Sequence, residues 1–300
     1  MLSRKQKYFL LKFFSMLSVV RGYNILLIVI AQYLASIYIL SPDLPLMDVI
    51  FDINILMLVL ATAATIASGY IINSFYDSEK DLINRPIKSK LDRLISQNTK
   101  LSFYFVLNFL AVILASYVSF RAVVFFSVYI FGIWFYSHKL KKLPFVGNLT
   151  SAILTITPFF AIFMYYKNFE SVIFVHATYL FLIVSMRELT KDLENIKGDF
   201  VQDYQTIPVT YGENISKLML TVLAIFTLLP TYLLLFYYTV GYMYIFFYTA
   251  TALLILFLIL LWRSKTKMHY LILHNILKFI LLAGVFCILL IDVSVILKRI

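Results

Sequence analysis

Long apolar runs recur along almost the whole of this 300-residue chain, and they restrict its fold more than any other feature. Each run approaches or exceeds the roughly 20 residues that an α-helix needs to cross the hydrocarbon core of a bilayer. A soluble domain does not combine a mean hydropathy of +0.90 with only 14% charged residues. We therefore predict an all-α, polytopic membrane protein.

Nine of the runs have the length of a membrane-spanning helix, and we expect them to form one bundle. They cover residues 18–40, 54–75, 101–118, 122–138, 148–166, 171–187, 217–239, 242–262 and 274–297. Residues 1–15 mix large apolar side chains with Arg4, Lys5, Lys7 and Lys12. That pattern is typical of an amphipathic helix lying in the membrane interface. The prediction is thus a single membrane domain over residues 1–300.

The second apolar run ends in a polar segment, NSFYDSEKDLINRP, which we call the first acidic stretch (residues 73–86). On a helix, Asn73, Asp77 and Asp81 are four residues apart and share one face, and Asn84 follows three residues later. Carboxylates stacked in this way repel each other unless a cation lies between them. A hard divalent ion with oxygen ligands is the usual solution, which predicts Mg²⁺ here.

The sixth apolar run ends in a second acidic stretch (residues 187–199). Glu188, Asp192, Asn195 and Asp199 lie at i, i+4, i+7 and i+11 and share a face if the helix continues through them. Two acidic faces imply two metal sites. For either stretch alone, the alternative is a solvated helix end with ordinary charge alternation, because short motifs also arise by chance.

Basic residues are distributed unevenly among the loops. Most lie in the N-terminal segment and in the loops after the second, fourth, sixth and eighth runs, whereas the opposite side carries only Arg121, Lys167, Lys298 and Arg299. The positive-inside rule therefore places the N-terminus and both acidic stretches in the cytoplasm, with the active site at that face of an inner or plasma membrane. Topology also explains the net charge of +11, so nucleic-acid binding is not expected.

The remaining reactive side chains do not form a recognisable site. Cys287 is the only cysteine, so neither an intrachain disulfide nor a thiolate zinc site is possible within one chain. His138, His176, His269 and His274 lack metal-ligand spacing, and we assign them no role.

Two Mg²⁺-binding faces at a membrane surface, beside Arg and Lys, indicate a substrate class. A diphosphate on a lipophilic tail fits, because Mg²⁺ is commonly held by a few carboxylates together with substrate phosphates, and Arg and Lys offset the remaining charge. The tail can lie among the helices.

At these residues the chain resembles the UbiA superfamily of intramembrane prenyltransferases. The family's first motif, N-x-x-x-D-x-x-x-D followed by an N-R-P element, is matched by Asn73, Asp77, Asp81 and residues 84–86. Its second aspartate-rich motif corresponds to residues 192–199, and the run from 187 to 208 is most similar to the branch containing digeranylgeranylglyceryl phosphate synthases. Further similarity covers Arg21, Asn24, Tyr136, Ser137, Leu140, Lys141, Gly147 and Asn148.

The resemblance implies Mg²⁺-assisted departure of diphosphate, an allylic cation and capture of that cation by an acceptor. The implied catalytic residues are Asp77, Asp81, Asp192 and Asp199. The implied metal ligands are Asn73, Asp77, Asp81, Glu188, Asp192, Asn195 and Asp199. The implied diphosphate-binding residues are Asn73, Arg85, Lys141 and Lys191.

The expected partners are a prenyl diphosphate donor, a lipophilic or aromatic acceptor and membrane lipid. The acceptor stays open between geranylgeranylglyceryl phosphate and the aromatic acids of quinone synthesis, 4-hydroxybenzoate or dihydroxynaphthoate, because a scaffold does not fix its substrate. We prefer the phosphate-bearing lipid, since Lys139, Lys141 and Lys142 lie together and could bind its phosphate. A cation-coupled transporter is the alternative from another class.

Overall fold

The computed structural model describes residues 4–293, and this part of the chain is helical and contains no strand. Nine of its helical segments are long and apolar enough to cross a bilayer, which confirms the predicted all-α polytopic fold. Two compact units can be distinguished. Unit 1 comprises Met1–Val29 and Ile53–Leu140, and unit 2 comprises Ile30–Asp52 and Lys141–Ile300. A single domain over residues 1–300 stays a prediction.

The α-helices follow one another closely along the chain. They are Arg4–Val20 (α1), Gly22–Ala35 (α2), Leu46–Ile50 (α3), Ile53–Tyr76 (α4), Lys80–Asn84 (α5), Pro86–Asp92 (α6), Gln97–Val118 (α7), Phe120–His138 (α8), Val146–Tyr166 (α9), Ser171–Val201 (α10), Ile207–Phe226 (α11), Leu228–Phe236 (α12), Tyr244–Arg263 (α13) and Lys267–Cys287 (α14). A π-helical segment, Ser36–Leu40, extends α2, and short 3-10 helices occupy Leu140–Lys142, Gly241–Met243 and Ile288–Leu290.

Three helices differ from their predicted bounds. α10 continues to Val201, well past the predicted end at residue 187. α11 begins at Ile207, with Pro208 in its first turn, but the non-helical backbone of Gly212 (φ +85°, ψ 168°) kinks it, so that its longer part starts closer to the predicted residue 217. α14 begins at Lys267 instead of 274, after Thr266, whose side chain accepts a hydrogen bond from the His269 N–H. Residues 294–297 of that predicted span lie outside the described residues.

α4 is the central helix of unit 1 and packs against α1, α7 and α8. Its buried face carries small residues, including Ala61, Ala64 and Gly69, which let neighbouring helices approach closely. A Cβ on Gly69 would lie 3.0 Å from the Ile133 side chain of α8, so glycine keeps this contact unstrained. The first acidic stretch therefore starts from the helix that organises unit 1.

α1 is longer than the interfacial segment predicted for residues 1–15. Phe13 and Phe14 are exposed on it, whereas the Ser15 hydroxyl donates to the Leu91 C=O at 2.6 Å. Arg21, with φ at +50°, separates α1 from α2. The exposed apolar side chains are compatible with an interfacial helix, whose location stays a prediction, and Leu2 lies outside the described residues.

α10 is the central helix of unit 2 and packs against α9, α11, α12 and α14. Ile183, Met186 and Leu189 bury its inner face in the core of this unit. Its 31 residues span about 46 Å, more than the roughly 30 Å of a bilayer's hydrocarbon core. The second acidic stretch occupies the C-terminal part of this long helix.

Candidate active site

The first acidic stretch begins inside α4 and continues beyond the end of that helix at Tyr76. The Asp77 N–H donates to the Asn73 C=O at 2.9 Å, and the Asp81 N–H donates to the Asp77 C=O at 2.8 Å. Both bonds span four residues, as in an α-helix, so Asn73, Asp77 and Asp81 keep a one-turn spacing. Asp77 is buried, and the other two are partly exposed. Three oxygen-bearing side chains thus follow one face of the chain.

Residues 84–86 form the boundary between α5 and α6. Pro86 occupies the first position of α6, where its missing N–H costs no hydrogen bond, and it disfavours a helical backbone at Arg85, whose φ and ψ are −141° and 63°. The Arg85 N–H still donates to the Asp81 C=O at 2.8 Å. The proline therefore fixes the backbone that carries the predicted diphosphate-binding arginine.

Tyr70, which sequence reasoning missed, lies one turn before Asn73 on α4. Asn24 Nδ2 donates to Tyr70 Oη at 3.1 Å, and the Arg21 guanidinium carbon lies 4.9 Å from the centre of the tyrosine ring. Tyr70, Asn73 and Asp77 are spaced as i, i+3 and i+7 and share a face of the helix. Arg21 and Asn24 thus hold the tyrosine that precedes the acidic face. The position of Tyr70, three residues before Asn73, was the sequence signal that could have identified it.

α10 continues unbroken through the second acidic stretch, so one helix carries Glu188, Asp192, Asn195 and Asp199. Asp192 Oδ2 accepts a hydrogen bond from Asn148 Nδ2 of α9 at 2.8 Å. Asp199 is fully buried, and its Oδ2 accepts a hydrogen bond from the Thr206 hydroxyl at 3.3 Å. Asn148 was singled out by the family resemblance, whereas Thr206 was noted only as part of a longer run.

Asn195 contributes a buried side-chain oxygen to this stretch. Its Nδ2 donates to the Lys191 C=O at 2.8 Å, one turn earlier. Its Oδ1 is buried and receives no hydrogen bond from any residue that the structure describes. A buried acceptor without a donor costs about 1–3 kcal/mol. A cation with oxygen ligands would offset that cost.

Glu188 is buried between two cations of its own helix. Its Oε1 lies 2.7 Å from Arg187 Nη1, and its Oε2 lies 2.8 Å from Lys191 Nζ. The structure therefore brings the predicted ligand Glu188 and the predicted diphosphate-binding Lys191 into direct contact.

Lys141 and Lys142 lie against Tyr204, in the segment that follows α10. Their ammonium nitrogens are 5.8 and 5.3 Å from the ring centre, within the range of a cation–π interaction. The Gln205 N–H donates to the Lys142 C=O, and the Tyr204 N–H donates to the Asp199 C=O, both at 2.9 Å. This segment thus holds both lysines beside the Asp199 end of the second stretch.

His274 of α14, to which the sequence assigned no role, contacts the second stretch. Its Nδ1 lies 2.8 Å from Glu194 Oε2, and both side chains are buried. The pair connects α14 to the helix that carries Asp192 and Asn195. The two residues are 80 positions apart, so no local sequence pattern could have paired them.

The profile of the UbiA prenyltransferase family matches residues 46–270, well over half of the chain. The chain belongs to this family. The family resemblance and the enzyme class predicted from the acidic stretches are thereby confirmed. This UbiA family member is a multi-pass integral membrane protein and a prenyltransferase.

Among the relatives of this chain, a protein named digeranylgeranylglyceryl phosphate synthase from Methanobrevibacter smithii is 30% identical over 218 residues. The match covers 69% of this chain and 72% of that protein. A solved structure concerning digeranylgeranylglyceryl phosphate synthase in membranes superposes with a TM-score of 0.70, 21% identity and coverage of 92% of this chain and 97% of the other. A UbiA homologue from Archaeoglobus fulgidus, bound to GPP and Mg²⁺, gives a TM-score of 0.67 at 13% identity, covering 91% and 99%. These structural likenesses establish the UbiA fold.

The side chains of both stretches have the chemistry that Mg²⁺ requires. The ion takes oxygen ligands at about 2.0–2.1 Å and is usually held by one or two carboxylates, waters and substrate phosphates. Among the described residues, no three His, Cys, Asp or Glu side chains come together in a way that could hold a metal. A site of this UbiA family member therefore depends on other oxygens as well, and the buried Asn195 Oδ1 is one that fits.

Unit 2 also encloses an apolar cavity of about 160 Å³. Its walls include Ile156 and Phe159 of α9, Leu180 of α10 and Phe247 of α13. Leu180 precedes Asp192 on α10 by about 18 Å of helix. A cavity with aliphatic and aromatic walls suits an alkyl or isoprenoid chain.

Proposed function

We propose that this protein catalyses the Mg²⁺-dependent transfer of a polyprenyl group from a prenyl diphosphate to the alcohol of geranylgeranylglyceryl phosphate. The observation that carries the proposal is the second acidic stretch, where Asp192, Asn195 and Asp199 share one helix with Arg187 and Lys191. Carboxylates and cations in one place suit a metal-bound diphosphate. The relative from Methanobrevibacter smithii carries the name of this activity, and the Archaeoglobus fulgidus homologue binds GPP with Mg²⁺.

The chain's own residues would act mainly through charge and position. In the first stretch Asn73, Asp77 and Asp81 would hold Mg²⁺, and in the second Asp192, Asn195 and Asp199 would do so. When bound, Mg²⁺ neutralises the charge that develops on the leaving diphosphate. Arg85, Lys141 and Lys191 would add hydrogen bonds to the diphosphate oxygens.

The reaction exchanges one carbon–oxygen bond for another. The allylic carbon–oxygen bond of the donor breaks, and diphosphate leaves with the electron pair. The acceptor oxygen then bonds to the allylic carbon and releases its proton to solvent or to diphosphate. No serine or cysteine nucleophile is required by this route.

The choice of acceptor is supported by the lysines beside Tyr204. Lys141 is buried, and the ring holds it together with Lys142 where the chain also meets Asp199. Two ammonium groups in one place suit a phosphate monoester better than an aromatic carboxylic acid, because the phosphate carries more charge and more acceptor oxygens. Enforcing topology is the other role that these lysines could have.

The deciding experiment supplies the purified protein with Mg²⁺, labelled geranylgeranyl diphosphate and one acceptor at a time. We expect product with geranylgeranylglyceryl phosphate. Efficient prenylation of 4-hydroxybenzoate or dihydroxynaphthoate, without use of the phospholipid precursor, would assign the protein to quinone synthesis. Cation flux through proteoliposomes without prenyl transfer would favour a transporter.

A second experiment tests the acceptor lysines. The variant K141E/K142E should raise the KM for the acceptor more than the KM for the donor, because Arg85 and Lys191 still serve the donor. Lys265→Glu, in the loop between α13 and α14, is the matched control. An equal rise in both KM values would mean that Lys141, which is also proposed to contact the donor diphosphate, and Lys142 do not favour the acceptor phosphate.

We further propose that the N-terminus and the active site face the cytoplasm of the inner or plasma membrane, as the distribution of basic residues indicates. Because Cys287 is the only cysteine, a C287S background allows single cysteines to be introduced without interference. Cysteines in the loops at 94 and 266 should react with an impermeant reagent only from the cytoplasmic side. Labelling only from the opposite side would show that the protein has the reverse topology.

A further inference from the structure

Glu188 has both of its carboxylate oxygens bound to cations. Arg187 Nη1 lies 2.7 Å from one oxygen and Lys191 Nζ lies 2.8 Å from the other. A carboxylate offers about four acceptor positions. Two of these positions, one on each oxygen, are therefore occupied by positively charged groups.

A divalent ion at Glu188 would lie close to those cations. Mg²⁺ would sit about 2 Å from a carboxylate oxygen, and the neighbouring ammonium or guanidinium nitrogen lies less than 3 Å from the same oxygen. Like charges at such a separation repel strongly in a buried place. On the same helix, Asp192 Oδ2 accepts a hydrogen bond from the neutral amide of Asn148.

Arg187 and Lys191 keep the capacity to bind an anion. A guanidinium has five N–H donors and an ammonium has three, and Glu188 accepts one hydrogen bond from each group. The side chain of Glu188 is 7% exposed, whereas those of Arg187 and Lys191 are 20% and 32% exposed. The accessible part of this cluster is therefore cationic, and its net charge is positive.

We propose that Glu188 is a positioning residue that holds Arg187 and Lys191, one helical turn apart, for the diphosphate, and that it does not bind the metal. This inference rests on the proposed function, because it assigns a role within the donor site. It replaces the metal-ligand role predicted for Glu188 from its spacing. Without the carboxylate, the two cations would repel each other and lose their fixed geometry.

Glu188→Gln tests the inference against Asp192→Asn, which neutralises a predicted ligand on the same helix. The Kd for Mn²⁺ can be measured by electron paramagnetic resonance in detergent without substrate. It should change less than twofold in Glu188→Gln and rise about tenfold or more in Asp192→Asn. Inorganic pyrophosphate in saturating Mg²⁺ should bind Glu188→Gln about tenfold more weakly than wild type. The KM for the prenyl diphosphate should rise by a similar factor while the Mg²⁺ requirement is unchanged. Glu170→Gln, at the exposed N-terminus of α10, is the control.

Mn²⁺ binding that weakens equally in Glu188→Gln and Asp192→Asn, with unchanged pyrophosphate affinity, would overturn the inference. If Glu188→Gln does not fold, Arg187→Gln and Lys191→Gln replace it. Both should weaken pyrophosphate binding and leave Mn²⁺ binding intact, and normal pyrophosphate affinity in both would contradict the inference. These binding measurements do not require turnover, so a wild-type protein inactive with every acceptor would defeat the proposed function and leave this test standing.

Discussion

In the first acidic stretch the helix ends at Tyr76, before Asp77 and Asp81, whereas the second stretch lies wholly inside α10. The first stretch then contains the short helix α5, which meets a second short helix, α6, at Arg85 and Pro86. The second brings cations on its own helix and amide and hydroxyl partners from neighbouring segments. The comparison indicates that the second stretch is already organised by protein contacts, and that the first has a less regular backbone around Asp77 and Asp81.

The largest expected effect tests whether both stretches hold metal. Asp77→Ala, Asp81→Ala and Asp192→Ala should each reduce turnover by about a thousandfold or more, because each removes a carboxylate that supports charge stabilisation in the transition state. Prenyl transfer from a labelled donor measures the loss. Membrane insertion should be unchanged, and Glu170→Ala should keep full activity. Near-normal turnover in both first-stretch variants would restrict the metal chemistry to α10.

A smaller effect tests how the second stretch is supported. His274→Ala should destabilise the protein by about 2 kcal/mol, because it removes a hydrogen bond to the buried carboxylate of Glu194. Thermal unfolding in detergent measures this, with the exposed His138→Ala as the control. Equal melting temperatures for the two variants would show that the Glu194–His274 contact does not hold α14 to α10.

The Mg²⁺ requirement tests the buried oxygen of Asn195. Asn195→Ala should raise the Mg²⁺ concentration for half-maximal activity about tenfold, because it removes an oxygen that the protein does not satisfy. Chelator should abolish activity in both proteins, and Mg²⁺ or Mn²⁺ should restore it better than Ca²⁺. Asn98→Ala, exposed at the start of α7, is the control. An unchanged Mg²⁺ requirement would remove Asn195 from the ligand set.

The smallest effect concerns the support of the first stretch. Tyr70→Phe removes the hydrogen bond from Asn24 and keeps the ring beneath Arg21. It should therefore lower the free energy of unfolding by about 1 kcal/mol and reduce turnover a few-fold. Tyr117→Phe on the exposed face of α7 should have no effect. A loss of stability as large as that of His274→Ala would mean that the first stretch is as tightly supported as the second.

Hydrophobic length and helical spacing accounted for the nine long apolar helices of the described residues and for the grouping of oxygen-bearing side chains, because both are local properties of the sequence. The same reasoning could not find Tyr204 or His274, whose partners are brought together only by packing within unit 2. It also ended α10 too early, since charged residues stop an apolar run without stopping a helix. Spacing alone gave Glu188 and Asp192 the same role, whereas the contacts of Glu188 with Arg187 and Lys191 lead us to propose a different role for Glu188.

The length of α10 has a consequence for how this enzyme meets its substrates. Because the helix is about 46 Å long, its apolar part can stay in lipid while its charged end reaches the headgroups. The proposed donor and acceptor both carry isoprenoid chains, so both would diffuse in two dimensions and be available according to their surface density. Adding inert lipid to proteoliposomes at fixed bulk substrate should therefore slow the reaction by dilution, and a KM for this protein is best expressed as a mole fraction of the membrane.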